Sequence, residues 1–120
     1  MTKTGTMPEQ GDIVLIPVPF TDLTAQKRRP VIVISNDEYN RRALDILVVA
    51  MTSNPAAQPH SFAITSADLV HGKLNRPGVV RVDKLYTLAQ SLVSKRFGKV
   101  SAEIVVRIRT TLMQLISQGP

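Results

Sequence analysis

The chain of 120 residues contains no cysteine and no tryptophan, and only three phenylalanines and two tyrosines. Without cysteine there is no disulfide, no thiol nucleophile and no zinc site built on thiolates. The aromatics, Phe20, Phe62, Phe97, Tyr39 and Tyr86, do not interleave with cations into the stacking platform that many single-strand binders use. No apolar run approaches the ~20 residues needed to cross a bilayer. The opening MTKTGTMPEQ lacks the apolar stretch of a signal peptide. A soluble cytoplasmic protein without membrane contact is therefore expected. HExxH, paired-carboxylate and Gly-rich phosphate motifs are also missing, and no serine-hydrolase elbow surrounds Ser35, Thr52 or Ser53. The two histidines, His60 and His71, have no spacing that brings them together as an acid–base pair, and they read as solvated loop residues.

What is present is a core and an excess of cations. Hydrophobic residues make up 43% of the chain, enough for one core in one domain of this length. Fifteen Lys and Arg against nine Asp and Glu leave a net charge of +6. That sign favours a polyanionic partner, although a magnitude of ~2–8 is ordinary for a small domain.

Residues 1–10 are polar and expected to be flexible, leaving residues 11–118 as a single folded domain. Five strands are expected: GDIVLIPV (11–18), PVIVIS (30–35), LDILVVAMTS (44–53), SFAITS (61–66) and VVRVDKLYTL (79–88). The second and third do not alternate, so both of their faces should be buried. PFTDLTAQKRR is expected as a loop with its cations at the far end, and NDEYNRRA as one helical turn or a loop. Ser66 is a candidate N-cap for a short helix reaching Gly72, and SKRFGKV is expected to turn at Gly98. The last stretch is the one clear helix: Ser101 can cap it, Glu103 sits in its first turn, and Ile104, Val105, Ile108, Leu112, Leu115 and Ile116 form a stripe at helical spacing. Val106 and Met113 lie off that stripe, which suggests a second covered surface and a homodimer. Strands joined by short connections, with one terminal helix, suggest a mainly β fold: a small barrel or roll.

Polar groups at strand ends are the remaining candidates for chemistry. Arg29 precedes Pro30, which biases it toward extended geometry and restricts the direction of its side chain. Thr52 ends the third strand, where its hydroxyl can project into a groove. Arg81 and Asp83 are two apart on one strand and share a face, and a guanidinium held by a carboxylate has a fixed orientation suited to phosphate. By residue type alone, each has a blander reading: a solvated loop arginine, a hydroxyl bonded to backbone, and an ordinary surface ion pair.

Four ordered blocks, GDIVLI, RRPVIVISND, ILVVAMTSN and GVVRVDKLYTL, resemble the MazF/PemK-type toxins of bacterial toxin–antitoxin pairs from Gly11 to about Ile116. The resemblance implies an SH3-like β-barrel of the MazF/CcdB type with short helical turns and a C-terminal α-helix. It implies a dimeric, sequence-selective endoribonuclease that cuts single-stranded RNA without metal or cofactor and is silenced by a cognate acidic antitoxin. Matched residue by residue, it makes Arg29, Thr52, Arg81 and Asp83 the catalytic candidates. Lys27, Arg28 and Ser53 become RNA-binding candidates, with Thr21 and Gln26 in the first loop. That loop departs from the family: PFTDLTAQKRRP keeps a Thr and a Gln but lacks the Pro, Gly and Glu common there. The alternatives are an RNA-binding barrel without activity and a CcdB-like gyrase toxin. The second depends on a C-terminal Trp that this chain does not have.

Overall fold

The computed structural model describes residues 7–18, 27–55 and 59–119. Strand β1 (Asp12–Val18) leads to β2 (Lys27–Val33), the short helix α1 (Asp37–Arg42) and β3 (Asp45–Thr52). β4 (Ser61–Ile64), a 3₁₀ turn (Ser66–Asp68) and β5 (Leu69–His71) follow. The long strand β6 (Gly78–Ala89), a second 3₁₀ turn (Gln90–Leu92), β7 (Lys95–Val100) and helix α2 (Ala102–Ile116) complete the chain. The seven strands form one antiparallel sheet in the order β4-β6-β3-β2-β1-β7-β5. The mainly β architecture with a C-terminal helix is the expected one, and the sheet holds two strands more than the sequence suggested.

The unalternated runs are explained by two apolar clusters, one on each side of the sheet. Ile13, Ile32, Val49, Val80 and Val82 pack with Ile104 and Ile108 of α2 on one side. Val14, Ile16, Val31, Val33, Ile46 and Val48 pack on the other. Successive side chains of a strand point to opposite faces, so Val31-Ile32-Val33 feeds both clusters. Each fully buried valine or isoleucine contributes about 1.5–3 kcal/mol before its entropy cost.

Four local readings are corrected. The cations Lys27, Arg28 and Arg29 belong to β2 itself, paired with Val18, Pro17 and Ile16, and do not sit in a loop before it. The segment after Ser66 is no helix: Thr65 caps a single 3₁₀ turn closed by Asp68, and Leu69–His71 then pairs with β7. SKRFGKV is a strand at its centre, because Gly98 lets the His71 carbonyl approach to 3.1 Å of where a Cβ would stand. On α2 only Ile104 and Ile108 of the expected stripe are fully buried, Val105 and Leu112 are half-buried, and Leu115 and Ile116 are exposed like Val106 and Met113.

Of the expected loose N-terminus, Met7–Gln10 is instead tied down. Lys99 Nζ donates to Glu9 Oε1 at 2.7 Å, Arg96 Nη2 to the Met7 carbonyl at 2.7 Å, and Gln10 Nε2 to the Ile34 carbonyl at 2.8 Å. Beneath this strap Asp12 is 1% exposed, and its Oδ2 accepts from the Glu9 amide at 2.8 Å and from Arg96 Nε at 3.0 Å. Burial pushes the Asp12 carboxyl above its ordinary value, against the pull of those donors. Gly72 has φ +80°, and a Cβ there would lie 2.3 Å from the Phe97 carbonyl oxygen, so only glycine fits.

Candidate functional site

Strand pairing decides which candidate side chains can meet. Residues directly opposite one another in an antiparallel pair share a face. Val31 is opposite Ala50, Ala50 is opposite Arg81, and Arg81 is opposite Ser61. Alternation then places Arg29 on the face of Val31, and Thr52 on the face of Ala50. Arg29, Thr52 and Arg81 therefore lie on one face of three adjacent strands, β2, β3 and β6. Asp83 joins them through its bonds to Arg81.

At the rim where β2 begins and β3 ends there is a groove of about 380 Å³ lined by Arg28, Arg29, Pro30, Met51, Thr52 and Ser53. Arg28, Arg29 and Ser53 are exposed and Thr52 is half-buried. Thr52 Oγ1 accepts from the Asn54 amide at 3.1 Å, which fixes the side chain and leaves its own O–H to donate. The backbone-bonded reading of Thr52 and the groove-facing one thus hold together. Pro30 supplies rigidity beneath the two arginines, because β2 passes from it directly into the buried Val31–Val33.

Arg81 and Asp83 form a bidentate pair: Nε donates to Oδ1 at 2.8 Å and Nη2 to Oδ2 at 2.7 Å. The side chains are 21% and 31% exposed, so the pair is fixed in geometry and still reachable. The hydrogen bond to Arg81 holds the Asp83 carboxyl below its ordinary value, and the same bond raises Arg81 above its own. Asp83 is a weak base in this state, while Arg81 keeps donors that Asp83 does not use.

Of the remaining candidates, Thr21 and Gln26 lie outside the described residues, and Lys27 is placed by its backbone at the start of β2. Ser35 is not a site residue: its hydroxyl donates to the buried Asn40 side chain and accepts from the Leu47 amide at 3.1 Å, fixing the corner before α1. A larger groove of about 430 Å³, lined by Pro8, Val14, Val93, Ser94, Lys95 and Arg96, contains none of the predicted residues. The Arg96 guanidinium there is bound to Asp12 and to the Met7 carbonyl. The aromatics offered no candidate by pattern, yet Tyr86 is exposed and lies two β3 positions along from Arg81. Its proximity depends on the pairing of β6 with β3, which no local pattern announces.

The geometry offers three donors of different kinds on one rigid face: an exposed guanidinium, a strand-end hydroxyl and a second guanidinium clamped by a carboxylate. Such a set can surround a phosphodiester and stabilise charge building on its oxygens.

Comparison with known proteins agrees with that chemistry. Residues 9–116 match the family of PemK-like, MazF-like toxins of type II toxin–antitoxin systems. The chain is 32% identical over 93 residues to endoribonuclease MazF2 of Mycobacterium bovis, covering 75% of this chain and 79% of the relative. It stands at the same 32% over 93 residues to endoribonuclease MazF6 of Mycobacterium tuberculosis. Among solved structures, an endoribonuclease in complex with its cognate antitoxin from a mycobacterial species superposes with a TM-score of 0.75 at 22% identity, covering 94% of this chain and 99% of that one. A MazE–MazF structure from Deinococcus radiodurans gives a TM-score of 0.76 at 23% identity, covering 95% and 100%.

Proposed function

The chain belongs to the PemK-like, MazF-like toxins of type II toxin–antitoxin systems, and from that premise we propose that it is an endoribonuclease cutting single-stranded RNA at the β2–β3–β6 face. The observation that carries the reading is the shared face of Arg29, Thr52 and Arg81 in the register of three central strands.

RNA brings its own nucleophile. The 2′-oxygen attacks the adjacent phosphorus, the bond from phosphorus to the 5′-oxygen breaks, the 2′-hydroxyl gives up its proton, and the departing 5′-oxygen takes one up. The products are a 2′,3′-cyclic phosphate and a 5′-hydroxyl. The protein has to hold the reacting atoms in line and to stabilise the charge on the phosphorane oxygens. Arg29, anchored at the head of a buried strand, is the principal charge stabiliser. A guanidinium stays charged and is a poor proton donor, so this role is electrostatic. Thr52 donates its hydroxyl to a non-bridging oxygen. Arg81 is a second phosphate ligand, and Asp83 is its positioning residue. Lys27, Arg28 and Ser53 hold the flanking backbone, together with Thr21 and Gln26. The reaction needs neither metal nor cofactor.

The regulatory partner is an acidic antitoxin; one solved structure to which this chain is similar pairs an endoribonuclease with its cognate antitoxin. A groove that suits an RNA backbone suits an acidic peptide, and occupying it stops cleavage. The active form is a homodimer that covers the apolar residues left exposed on α2, Val106, Met113 and Ile116, and it acts in the cytoplasm. No helix among the described residues is long and apolar enough to cross a membrane.

The test is to incubate the purified protein with total RNA in EDTA, map the new ends and determine their chemistry. Discrete cuts leaving 5′-hydroxyl ends, lost in Arg29→Ala, are expected. RNA that is bound but left intact would instead identify a binding barrel without activity.

A further inference from the structure

The face that carries Arg29, Thr52 and Arg81 also carries Tyr86, and β3 is the ruler that shows it. Val48, Ala50 and Thr52 alternate onto one side of β3; Arg81 is opposite Ala50, and Tyr86 is opposite Val48. Arg81 and Tyr86 are five residues apart in β6, but their partners are only two apart in β3. Their backbones are therefore ~7 Å apart along the sheet. The difference is a bulge in which Val82, Asp83 and Lys84 have no partner on β3. Bulges recur where a strand must re-aim a side chain.

This bulge is pinned on both sides. Val82 is fully buried in the core, and its amide donates to the His60 carbonyl at 3.1 Å. Asp83 turns back to clasp Arg81. The outcome is a tyrosine 46% exposed on a position whose cross-strand neighbour, Val48, is fully buried. The tyrosine stands on the same face of the sheet as Arg81, two β3 positions along. A rigidly based, half-exposed ring next to a phosphate-binding cation has the composition of a nucleotide subsite, with the ring for the base and the guanidinium for the phosphate.

We propose that Tyr86 is a base-stacking residue, holding the nucleobase next to the phosphate that Arg81 binds. The inference rests on the RNA-cleaving reading above and deepens it by naming one subsite. Stacking tolerates any base because every base has a π-face, so Tyr86 fixes the placement of the strand more than its sequence.

The experiment uses the full chain and an RNA oligonucleotide spanning a mapped cut, made uncleavable by 2′-deoxyribose at the cut nucleotide. It carries 2-aminopurine at one position at a time. In the wild-type protein and in Tyr86→Phe, emission should change on binding at one position beyond the cut. In Tyr86→Leu, which keeps apolar bulk but has no π-face, that change should vanish and affinity should fall about 5- to 100-fold. On cleavable RNA, KM should rise far more than kcat falls in Tyr86→Leu, with Tyr86→Phe near wild type. Wild-type binding with no Tyr86-dependent position would overturn this inference and leave the RNA-cleaving reading standing. Absence of RNA binding by the wild type would overturn both. A Phe variant as impaired as the Leu variant would assign the role to the hydroxyl instead of the ring. A change of mass in Tyr86→Leu by light scattering would assign the side chain to a subunit contact. Either result refutes stacking.

Discussion

Replacing Asp83 by asparagine separates orientation from proton transfer at the site. The carboxylate accepts two bonds from Arg81, at 2.8 and 2.7 Å. Asparagine presents one acceptor and one donor to the same guanidinium edge, so at most one of the two bonds survives. The positive charge of Arg81 remains, and only its aim is lost. A misplacement of about 1 Å at a reacting centre costs on the order of 10²-fold in rate. Asp83→Asn should therefore lower kcat by ~10–100-fold, and Arg81→Ala by ~10²–10³-fold, because it removes the donor itself. If Asp83 acts only through Arg81, the double variant is no slower than Arg81→Ala alone. The acid side of the pH–rate profile should also be unchanged in Asp83→Asn. Arg81 holds the Asp83 carboxyl below its ordinary value, far from neutral pH, where a general base works best. Single-turnover cleavage of a fluorescent RNA by the four proteins, from pH 5 to 9, measures all of this. Multiplying effects in the double variant, or an acid limb that disappears with Asp83, would show that the carboxylate takes the 2′-proton and that the positioning argument is wrong.

Three further outcomes are expected. Arg29→Ala should lose ~10²–10³-fold in cleavage rate while RNA affinity in a gel-shift or anisotropy assay falls much less, and Arg29→Lys should rescue poorly because an ammonium lacks the planar fork. Gly72→Ala should destabilise by at least ~2 kcal/mol, from left-handed backbone and a clash with the Phe97 carbonyl, and lower the melting temperature by roughly 8 °C in calorimetry; an unchanged melting temperature would contradict the tight β5–β7 approach. The hydrogen bond from Lys99 holds Glu9 below its usual value of about 4.5, so its stabilisation is present above that pH and is lost as pH falls through the depressed value. The stability gap between wild type and Glu9→Gln in urea titrations should accordingly be open at pH 6 and close below pH 4.5.

The parts of the fold legible in the sequence were those whose signal is local. Runs such as VIVI and ILVV announce strands buried on both faces, and the two clusters around Ile32 and Val31 bear that out. Ser101 and the spacing of Ile104 and Ile108 announce α2. β7 stayed hidden because KRFGKV is basic, lacks alternation and contains a glycine whose purpose is the close approach of β5, a segment distant in sequence. At the site, the i, i+2 spacing of Arg81 and Asp83 predicts a common face, and the clamp is found there. The grouping of Arg29 with Thr52 came from family resemblance, since only pairing across strands joins them. The bulge that draws Tyr86 beside Arg81 was beyond reach for the same reason: register between β3 and β6 is a property of two segments, and neither one carries it alone.

The place of β1 in the sheet has a consequence for how the protein comes into being. β1 lies between β2 and β7, and its Ile13 shares a core with Ile104 and Ile108 of α2. The strands bearing Arg29, Thr52 and Arg81 leave the ribosome before β7 and α2. Until those last segments emerge, Ile13 lacks its β7 neighbour, and the core around it lacks Val100, Ile104 and Ile108. The sheet that carries the rim arginines is thus completed only once β7 and α2 are in place, and a chain cut before Ile108 should fail to hold it.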